Sequence, residues 1–184
     1  MSKIKLIALC GKAGSGKDTI MHEAIRFDPN LNEIVSCTTR PPRENEVEGK
    51  NYYFLSEHDF FDKVKNGEML EWTNFNNWLY GTALFSCDPN KINIGVFNPA
   101  GIIFLNNNKN IELTTYLIES TDKQRLMRQL KRESNPNVKE IIRRFEADEE
   151  DFKNLEMLFP YNCLRNVCPD DVQRCARLIT GQNC

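Results

Sequence analysis

The stretch GKAGSGKDT has the residue spacing of a phosphate-binding loop, Gly11-x4-Gly16-Lys17. Its glycines allow the backbone to turn tightly and to direct N–H groups at phosphate oxygens, and Lys17 can reach the outer phosphates of a nucleotide. The next position normally carries Ser or Thr, whose hydroxyl binds the magnesium ion of a nucleoside triphosphate. Here it is Asp18. Three interpretations are open: a working nucleotide site with an altered metal ligand, a decayed site, or a chance match.

The segments on either side of the loop favour a nucleotide site. The apolar run IKLIALC before Gly11 predicts a buried strand, and DTIMHEAIRF after the loop has apolar residues at helical spacing. Strand, glycine loop and helix are the context that the motif requires, because the positive N-terminal end of the helix adds to phosphate binding. We therefore prefer a functional loop to an ordinary glycine turn.

A second group of polar residues could bind a phosphate. Arg40 and Arg43 flank two prolines in SCTTRPPRENEVEGKNYYF, and these prolines hold the backbone extended. Two guanidinium groups on a stiff segment can bind a phosphate with paired hydrogen bonds, and Tyr52 could add a hydroxyl donor. A solvated charged loop explains these residues about equally well.

Two further groups are ambiguous when each is taken alone. In EWTNFNNWLYGT, the Glu71 carboxylate could accept hydrogen bonds from the ring N–H and amino groups of guanine, with Thr82 nearby, but a solvent-facing strand residue is the simpler interpretation. Arginines on predicted helices could stabilise the charge that phosphoryl transfer spreads over the migrating group. A solvated helix face is the default for them; they are Arg125, Arg128, Arg132, Arg143 and Arg144.

The order of predicted elements indicates an α/β fold. Strands are predicted at EIVSCTT, NYYFLS, EMLEWTNF, KINIGVF, LTTYLIE and NCLRNV, and helices at EHDFFDKVKNG, DKQRLMRQLKRE, VKEIIRRFEADEEDFKNLEMLF and PDDVQRCARLI. Alternation of strands and helices favours a parallel sheet covered by helices on both faces. Residues 36–83 break this alternation, so we expect a small inserted subdomain there.

Composition excludes several classes of function. The 184 residues suffice for one domain, and the formal net charge of −2 gives no general attraction to nucleic acid or to an anionic membrane. The sequence contains no apolar run long enough to span a bilayer, and the apolar segment after Lys3 and Lys5 leads directly into the glycine loop, so we expect neither a membrane span nor a signal peptide. The seven cysteines lack zinc-site spacing and predict reduced thiols in a cytoplasmic protein.

Taken together and in this order, these motifs resemble the guanylate kinase family over about Ile4 to Ile179. The most specific part is the run SCTTRPPRENEVEGKNYYF, then FLSEHDFF and KNGEMLEW, then YGT. The resemblance implies a P-loop parallel-sheet core formed by residues 1–35, 84–124 and 147–184. It also implies a mixed-sheet monophosphate-binding subdomain at residues 36–83 and a helical lid at residues 125–146.

The resemblance also assigns roles to individual residues. Ser36, Glu71 and Thr82 would contact guanine, and Arg40, Arg43, Tyr52 and Tyr80 would hold the phosphate of the monophosphate substrate. The ATP site would consist of the loop and a residue near adenine: Gly11, Lys12, Ala13, Gly14, Ser15, Gly16, Lys17, Asp18, Thr19 and Asn166. Lys17, Arg40, Arg43 and the lid residue Arg144 would act in catalysis.

The sequence departs from the family pattern at two places. One lid arginine aligns with Glu133, so we take the neighbouring Arg132 as its substitute. The family has Asp-x-Asp after its central strand, whereas the turn GVFNPAG has Val96 and Asn98 there, and we keep Asn98 as a substrate-binding candidate. We hypothesise that Asp18 is a magnesium ligand that partly offsets the missing carboxylates.

The resemblance thus implies a cytoplasmic kinase that transfers the γ-phosphoryl group of ATP to GMP or dGMP with Mg²⁺. We expect nucleotides as its partners, no nucleic acid or membrane, and a monomer or homodimer. Two alternatives are open. A catalytically weak module could use the monophosphate site to bind a phosphopeptide, or a deoxynucleoside monophosphate kinase could act on another base.

Overall fold

The computed structural model describes residues 3–42, 46–75, 77–132 and 134–182. Its strands are β1 (Ile4–Cys10), β2 (Leu31–Glu33), β3 (Cys37–Thr38), β4 (Tyr53–Phe54), β5 (Met69–Phe75), β6 (Trp78–Ala83), β7 (Ile92–Val96), β8 (Ile111–Glu119) and β9 (Asn162–Arg165). Its α-helices are α1 (Lys17–Phe27), α2 (Glu57–Lys65), α3 (Pro99–Asn106), α4 (Asp122–Arg132), α5 (Val138–Asp151) and α6 (Asp171–Thr180).

The larger sheet has five parallel strands in the order β2-β7-β1-β8-β9. Side chains of β1 alternate between its two faces: Leu6 and Ala8 belong to one buried cluster, and Ile7 and Leu9 belong to another. Helix α3 packs on the first face, and α1 and α6 pack on the second. The predicted α/β fold with a covered parallel sheet is confirmed.

The smaller sheet has the order β4-β3-β6-β5 and contains both parallel and antiparallel pairs. Helix α2 covers it and inserts Phe60, which is fully buried, against Cys37 and Leu79. Ser56 accepts a hydrogen bond from the Asp59 N–H at the start of α2, and Gly67 follows the helix with a positive φ of 70°. This sheet is the mixed-sheet unit that the sequence predicted.

Some predicted elements were wrong in extent, and β6 and α3 were not predicted. EIVSCTT is not one strand: the Ile34 N–H still bonds to Ile94 of the large sheet, while the Ser36 carbonyl already accepts from Tyr53 of the small sheet. The long helix predicted from residue 138 ends at Asp151, before Asn154 adopts a left-handed φ of 54°. Helix α3 was missed because its residues are apolar on nearly every side.

Two further predictions concern the membrane and the cysteines. Across the described ranges, each helix is too short or too polar to cross a lipid bilayer. The six cysteines within those ranges are all free thiols.

Candidate active site

The glycine loop connects β1 to α1 and packs closely against the elements behind it. Gly14 has a φ of 79°, and a side chain there would lie 2.6 Å from the Arg125 carbonyl oxygen. Gly16 has a φ of 94°, and a side chain there would lie 2.4 Å from the Asn166 amide nitrogen. Only glycine fits both the backbone conformation and the space at these two positions.

Three side chains hold the loop from behind, and two of them, Arg125 and Asn166, are buried. The Arg125 side chain is only 1% exposed and donates to the Ala13 carbonyl at 3.1 Å. Arg128 donates to the carbonyl oxygens of Gly14 at 3.2 Å and Ser15 at 3.1 Å. Asn166, expected near adenine, is also buried and donates its amide to the Ser15 carbonyl at 2.7 Å. Arg125 and Arg128 therefore shape the loop and do not form a solvated face.

Lys17 folds back over the loop, where the outer phosphates of a nucleotide would lie. Its ammonium donates to the carbonyl oxygens of Gly11 at 2.7 Å and Lys12 at 3.4 Å. Burial lowers its pKa, and the neighbouring Asp18 carboxylate opposes that shift.

Carboxylates of α5 make the contacts that a phosphate would make. The Ala13 N–H donates to Asp148 at 2.8 Å, and Arg125 donates to the same Asp148 oxygen atom at 2.6 Å. Beside them, Lys12 forms an ion pair with Glu149. A nucleotide phosphate that approaches this end of the loop must therefore displace Asp148.

A cavity of about 650 Å³ joins the loop to the small sheet and to α5. It is lined by half of the residues that the sequence selected: Gly11, Ala13, Lys17, Ser36, Arg40, Tyr52, Glu71, Tyr80, Asn98 and Arg144. Residues that lie far apart in the sequence thus meet at one place.

Several other candidates lie elsewhere or fall outside the described residues. Asp18 and Thr19 are exposed on the first turn of α1, and Arg132 is exposed at the end of α4, outside the cavity lining. Arg43 lies outside the described residues, as does Glu133.

Glu71 supplies a buried carboxyl group at one end of the cavity. It is 5% exposed on β5 and pairs in register with the fully buried Thr82 on β6. Burial raises the pKa of Glu71 to about 7, and hydrogen bonding by Thr82 acts in the opposite direction. Gly101 at the start of α3 leaves room for this carboxyl group, since a side chain there would lie 3.1 Å from its Oε2 atom.

Arg40, Tyr52 and Tyr80 form a second group of cavity-lining residues from the small sheet and its loops. Arg40 makes a two-pronged ion pair with Glu46, both oxygens at 2.8 Å, and its guanidinium lies 5.5 Å from the centre of the Tyr52 ring. The rings of Tyr52 and Tyr80 are 6.1 Å apart. Burial raises the pKa of Tyr52, and the Asp18 carboxylate adds to the effect.

Two arginines of α5 share one carboxylate in the cavity wall. Arg143 donates to Glu140 at 2.8 and 3.0 Å, and Arg144 donates to it at 2.8 Å. These bonds lower the pKa of Glu140 to about 2, so it is ionised at neutral pH.

The turn after β7 offers polar but uncharged groups. Asn98 caps α3 by accepting from the Gly101 N–H at 2.8 Å, and its amide donates to Thr73 at 3.2 Å. Val96 lines the cavity with an apolar side chain. Within the described ranges, no three His, Cys, Asp or Glu side chains come close enough together to hold a metal ion.

Sequence reasoning missed several residues of the cavity wall: Thr73, Asn77, Trp78, Asp148 and Asp151. Thr73 could have been found, because it lies two residues after Glu71 on the same face of a strand. The position of Asp148 depends on how α5 packs against a loop more than 130 residues earlier in the chain, and no local pattern indicates that contact.

Comparison with known proteins agrees with this geometry. A family model described as guanylate kinase matches residues 3–179. A guanylate kinase of Clostridium tetani is 28% identical over 190 residues, covering 100% of this chain and 89% of that protein. A guanylate kinase of Thermotoga maritima is 44% identical over 80 residues, covering 44% of this chain and 39% of that protein.

The crystal structure of guanylate kinase from Anaplasma phagocytophilum has a TM-score of 0.65 at 19% identity, covering 97% of this chain and 84% of that one, and it establishes the likeness of fold. Four curated relatives at 42% to 45% identity align over only 39% to 45% of their own length. The higher identity is thus confined to less than half of each of these proteins.

Proposed function

This chain belongs to the guanylate kinase family, and on that premise we propose that it transfers the γ-phosphoryl group of ATP to GMP or dGMP, giving ADP and GDP or dGDP. The observation that supports this most directly is one cavity lined by Lys17 of the phosphate loop, by the buried Glu71 and by Arg40. A phosphate donor site, a base-reading carboxyl group and an acceptor-phosphate site then share one enclosed space.

In this proposal the small sheet binds the acceptor nucleotide. Ionised Glu71 accepts hydrogen bonds from the ring N–H and amino groups of guanine, a donor pair that adenine lacks. Ser36, Thr82 and Asn98 complete the contacts around the base. Tyr52, Tyr80, Arg40 and Arg43 hold the acceptor phosphate, and Arg40 exchanges Glu46 for that phosphate.

The loop binds the phosphates of ATP. Its backbone N–H groups and the start of α1 face the phosphates, and Lys17 turns from the Gly11 carbonyl to the outer phosphates. The acceptor is a phosphate oxygen that is already ionised near neutral pH, so the reaction needs no general base. Catalysis therefore depends on positioning and on cations such as Arg144 around the migrating group.

We propose three functional units that close on one another. Residues 1–35, 84–124 and 147–184 form the core, residues 36–83 the monophosphate-binding subdomain, and residues 125–146 the lid. Closure of the last two excludes water and so suppresses hydrolysis of ATP. The cytoplasm, where ATP and GMP are both present, is the proposed place of action.

The residues near the loop fit a magnesium ion that keeps most of its ligands from phosphate and water, since Mg²⁺ is usually bound by one or two carboxylates plus substrate phosphates. Asp18 would hold it, directly or through water. When bound, the ion would neutralise charge on the phosphates. Asp18→Ser should raise the magnesium concentration that gives half-maximal turnover. A titration of turnover against magnesium that matches that of the unaltered chain would refute this role.

A coupled assay of ADP formation with GMP, dGMP, AMP, dTMP and dCMP tests the function. We expect turnover with GMP and dGMP at least about a hundredfold above that with the others, because a base without paired donors leaves Glu71 unsatisfied. Preference for dTMP or dCMP would favour a deoxynucleoside monophosphate kinase that acts on another base. The absence of turnover with every acceptor would favour the phosphopeptide-binding alternative, which the apolar Val96 beside the loop supports.

A further inference from the structure

Helix α5 carries two adjacent arginines into the cavity. Arg143 and Arg144 both line its wall, and the side chain of Arg143 is 40% exposed. Arg132, which the sequence offered as a catalytic cation, is exposed at the end of α4 and is not part of that wall. The cation that stands beside Arg144 in the cavity is therefore Arg143.

Arg143 also lies toward the acceptor side of the cavity. Arg143 lines the same cavity as Tyr80 of the small sheet, and hydrogen bonding to Glu140 raises the pKa of Arg143. Tyr80 in turn stacks edge-on with Tyr52, beside Arg40. A guanidinium in this position lies between the helical lid and the residues proposed to hold the acceptor phosphate.

The partner of Arg143 indicates what kind of ligand it binds. Glu140 accepts two parallel hydrogen bonds from Arg143 and one from Arg144, which is the arrangement in which arginines bind a phosphate. A phosphoryl group carries more negative charge than one carboxylate and has three equatorial oxygens. It would therefore compete effectively for both guanidinium groups once a nucleotide fills the cavity.

We propose that Arg143 is the second catalytic arginine of the lid, that it contacts the migrating phosphoryl group together with Arg144, and that Glu140 holds both side chains until nucleotides bind. The role rests on the proposed kinase function. The catalytic role that the sequence analysis gave to Arg132 then belongs to Arg143, which lies on the next helix, one position before Arg144.

The test compares single substitutions in the steady-state assay of ADP formation with GMP. Arg143→Gln should lower kcat by about a hundredfold to a thousandfold, because it removes a charge that acts mainly in the transition state. The KM values should change by less than about threefold on the same reasoning. Arg143→Lys should recover part of kcat, since it restores the charge without the planar fork.

Two other positions serve as comparisons. Lys139→Gln removes one positive charge from an exposed position on the same helix and should leave kcat within about twofold of the unaltered chain, because surface charges of this kind act weakly. Arg132→Gln tests the competing assignment. A large loss of kcat in Arg132→Gln together with a normal kcat in Arg143→Gln would overturn the proposal.

Glu140→Gln tests the holding role separately. Removal of the competing carboxylate frees both arginines for a contact that acts mainly in the transition state, so kcat should be kept or rise by up to about tenfold while the KM values change by less than about threefold. A loss of kcat as large as that of Arg143→Gln would contradict this part. If the unaltered chain forms no ADP with any acceptor, the proposed function fails; if it is active and Arg143→Gln is equally active, the role of Arg143 alone fails.

Discussion

Replacement of Glu71 by Gln should stabilise the protein and impair its recognition of GMP. The folded structure raises the pKa of Glu71 from an ordinary 4.5 to about 7, chiefly through burial. At a pH between these values, the folded chain keeps a proton that the unfolded chain has lost. The free energy of unfolding therefore falls as pH rises through this window and stays low above it.

The size of the effect follows from the two pKa values. A difference of about 2.5, at about 1.4 kcal/mol for each pKa unit, gives roughly 3 kcal/mol of lost stability above pH 7. Gln has nearly the same shape and no charge, so Glu71→Gln should not show this loss. Its stability advantage over the unaltered chain should be roughly 2 kcal/mol larger at pH 8 than at pH 5.

Urea unfolding of both proteins at pH 5 and pH 8 measures this difference. Glu112→Gln is the matched control, because Glu112 is exposed on β8, and its effect should be the same at both pH values. If the difference in free energy of unfolding between Glu71→Gln and the unaltered chain does not grow with pH, the argument that burial of the ionised carboxylate destabilises the fold is refuted.

The same titration should control binding of GMP. If only the ionised carboxylate accepts from guanine, the KM for GMP should be about tenfold lower at pH 8 than at pH 6, because the competent fraction of the protein rises by that factor. The phosphate of GMP also titrates in this range. Glu71→Gln, measured over the same pH series, separates the two contributions, since the part due to Glu71 should vanish.

Three further outcomes are expected. Arg125→Leu and Asp148→Ala should each lower the free energy of unfolding by about 3 kcal/mol, while the double variant loses less than the sum, as a urea double-mutant cycle would show. Val96→Asp restores a carboxylate at the turn, so it should raise kcat about tenfold and lower the magnesium concentration that gives half-maximal turnover. An unchanged magnesium titration would contradict this. Gly101→Ala should raise the KM for GMP about tenfold with little change in kcat, because its Cβ would crowd Glu71, and steady-state kinetics measure the split.

Sequence patterns were sufficient for the elements whose signals are local. The phosphate loop, β1 and α1 follow from glycine spacing and apolar periodicity, and the structure places them as predicted. Helix α3 gave no such signal, since its residues are apolar on nearly every side, including the exposed Phe104, and it lacks a polar face. The end of α5 was also missed, because Asn154 in a left-handed conformation looks no different in sequence from an ordinary helical position.

The candidate site shows the same division. The residues that meet in the cavity were selected by motif, but their current partners were not, because each partner comes from a different turn or helix. Asn166 was expected near adenine, but its hydrogen bond to the Ser15 carbonyl was not predicted, because that contact requires the packing of β9 behind the loop. Arg125 was taken for a surface charge, although its guanidinium is buried against Phe145 with 4.2 Å between the guanidinium carbon and the ring centre.

The groups proposed to bind phosphate are paired with carboxylates in this structure. Arg40 pairs with Glu46, both arginines of α5 pair with Glu140, and the Ala13 N–H is taken by Asp148. A ligand must therefore replace several carboxylates at once. Nucleotides bound at the phosphate loop and at the small sheet can do this better than a single free phosphate. Because Glu140 and Asp148 lie on the same helix, their displacement would couple occupation of the phosphate loop to movement of the arginines. Selectivity for the pair of nucleotides would then depend on the replacement of these carboxylates by nucleotide phosphates as much as on recognition of the base by Glu71.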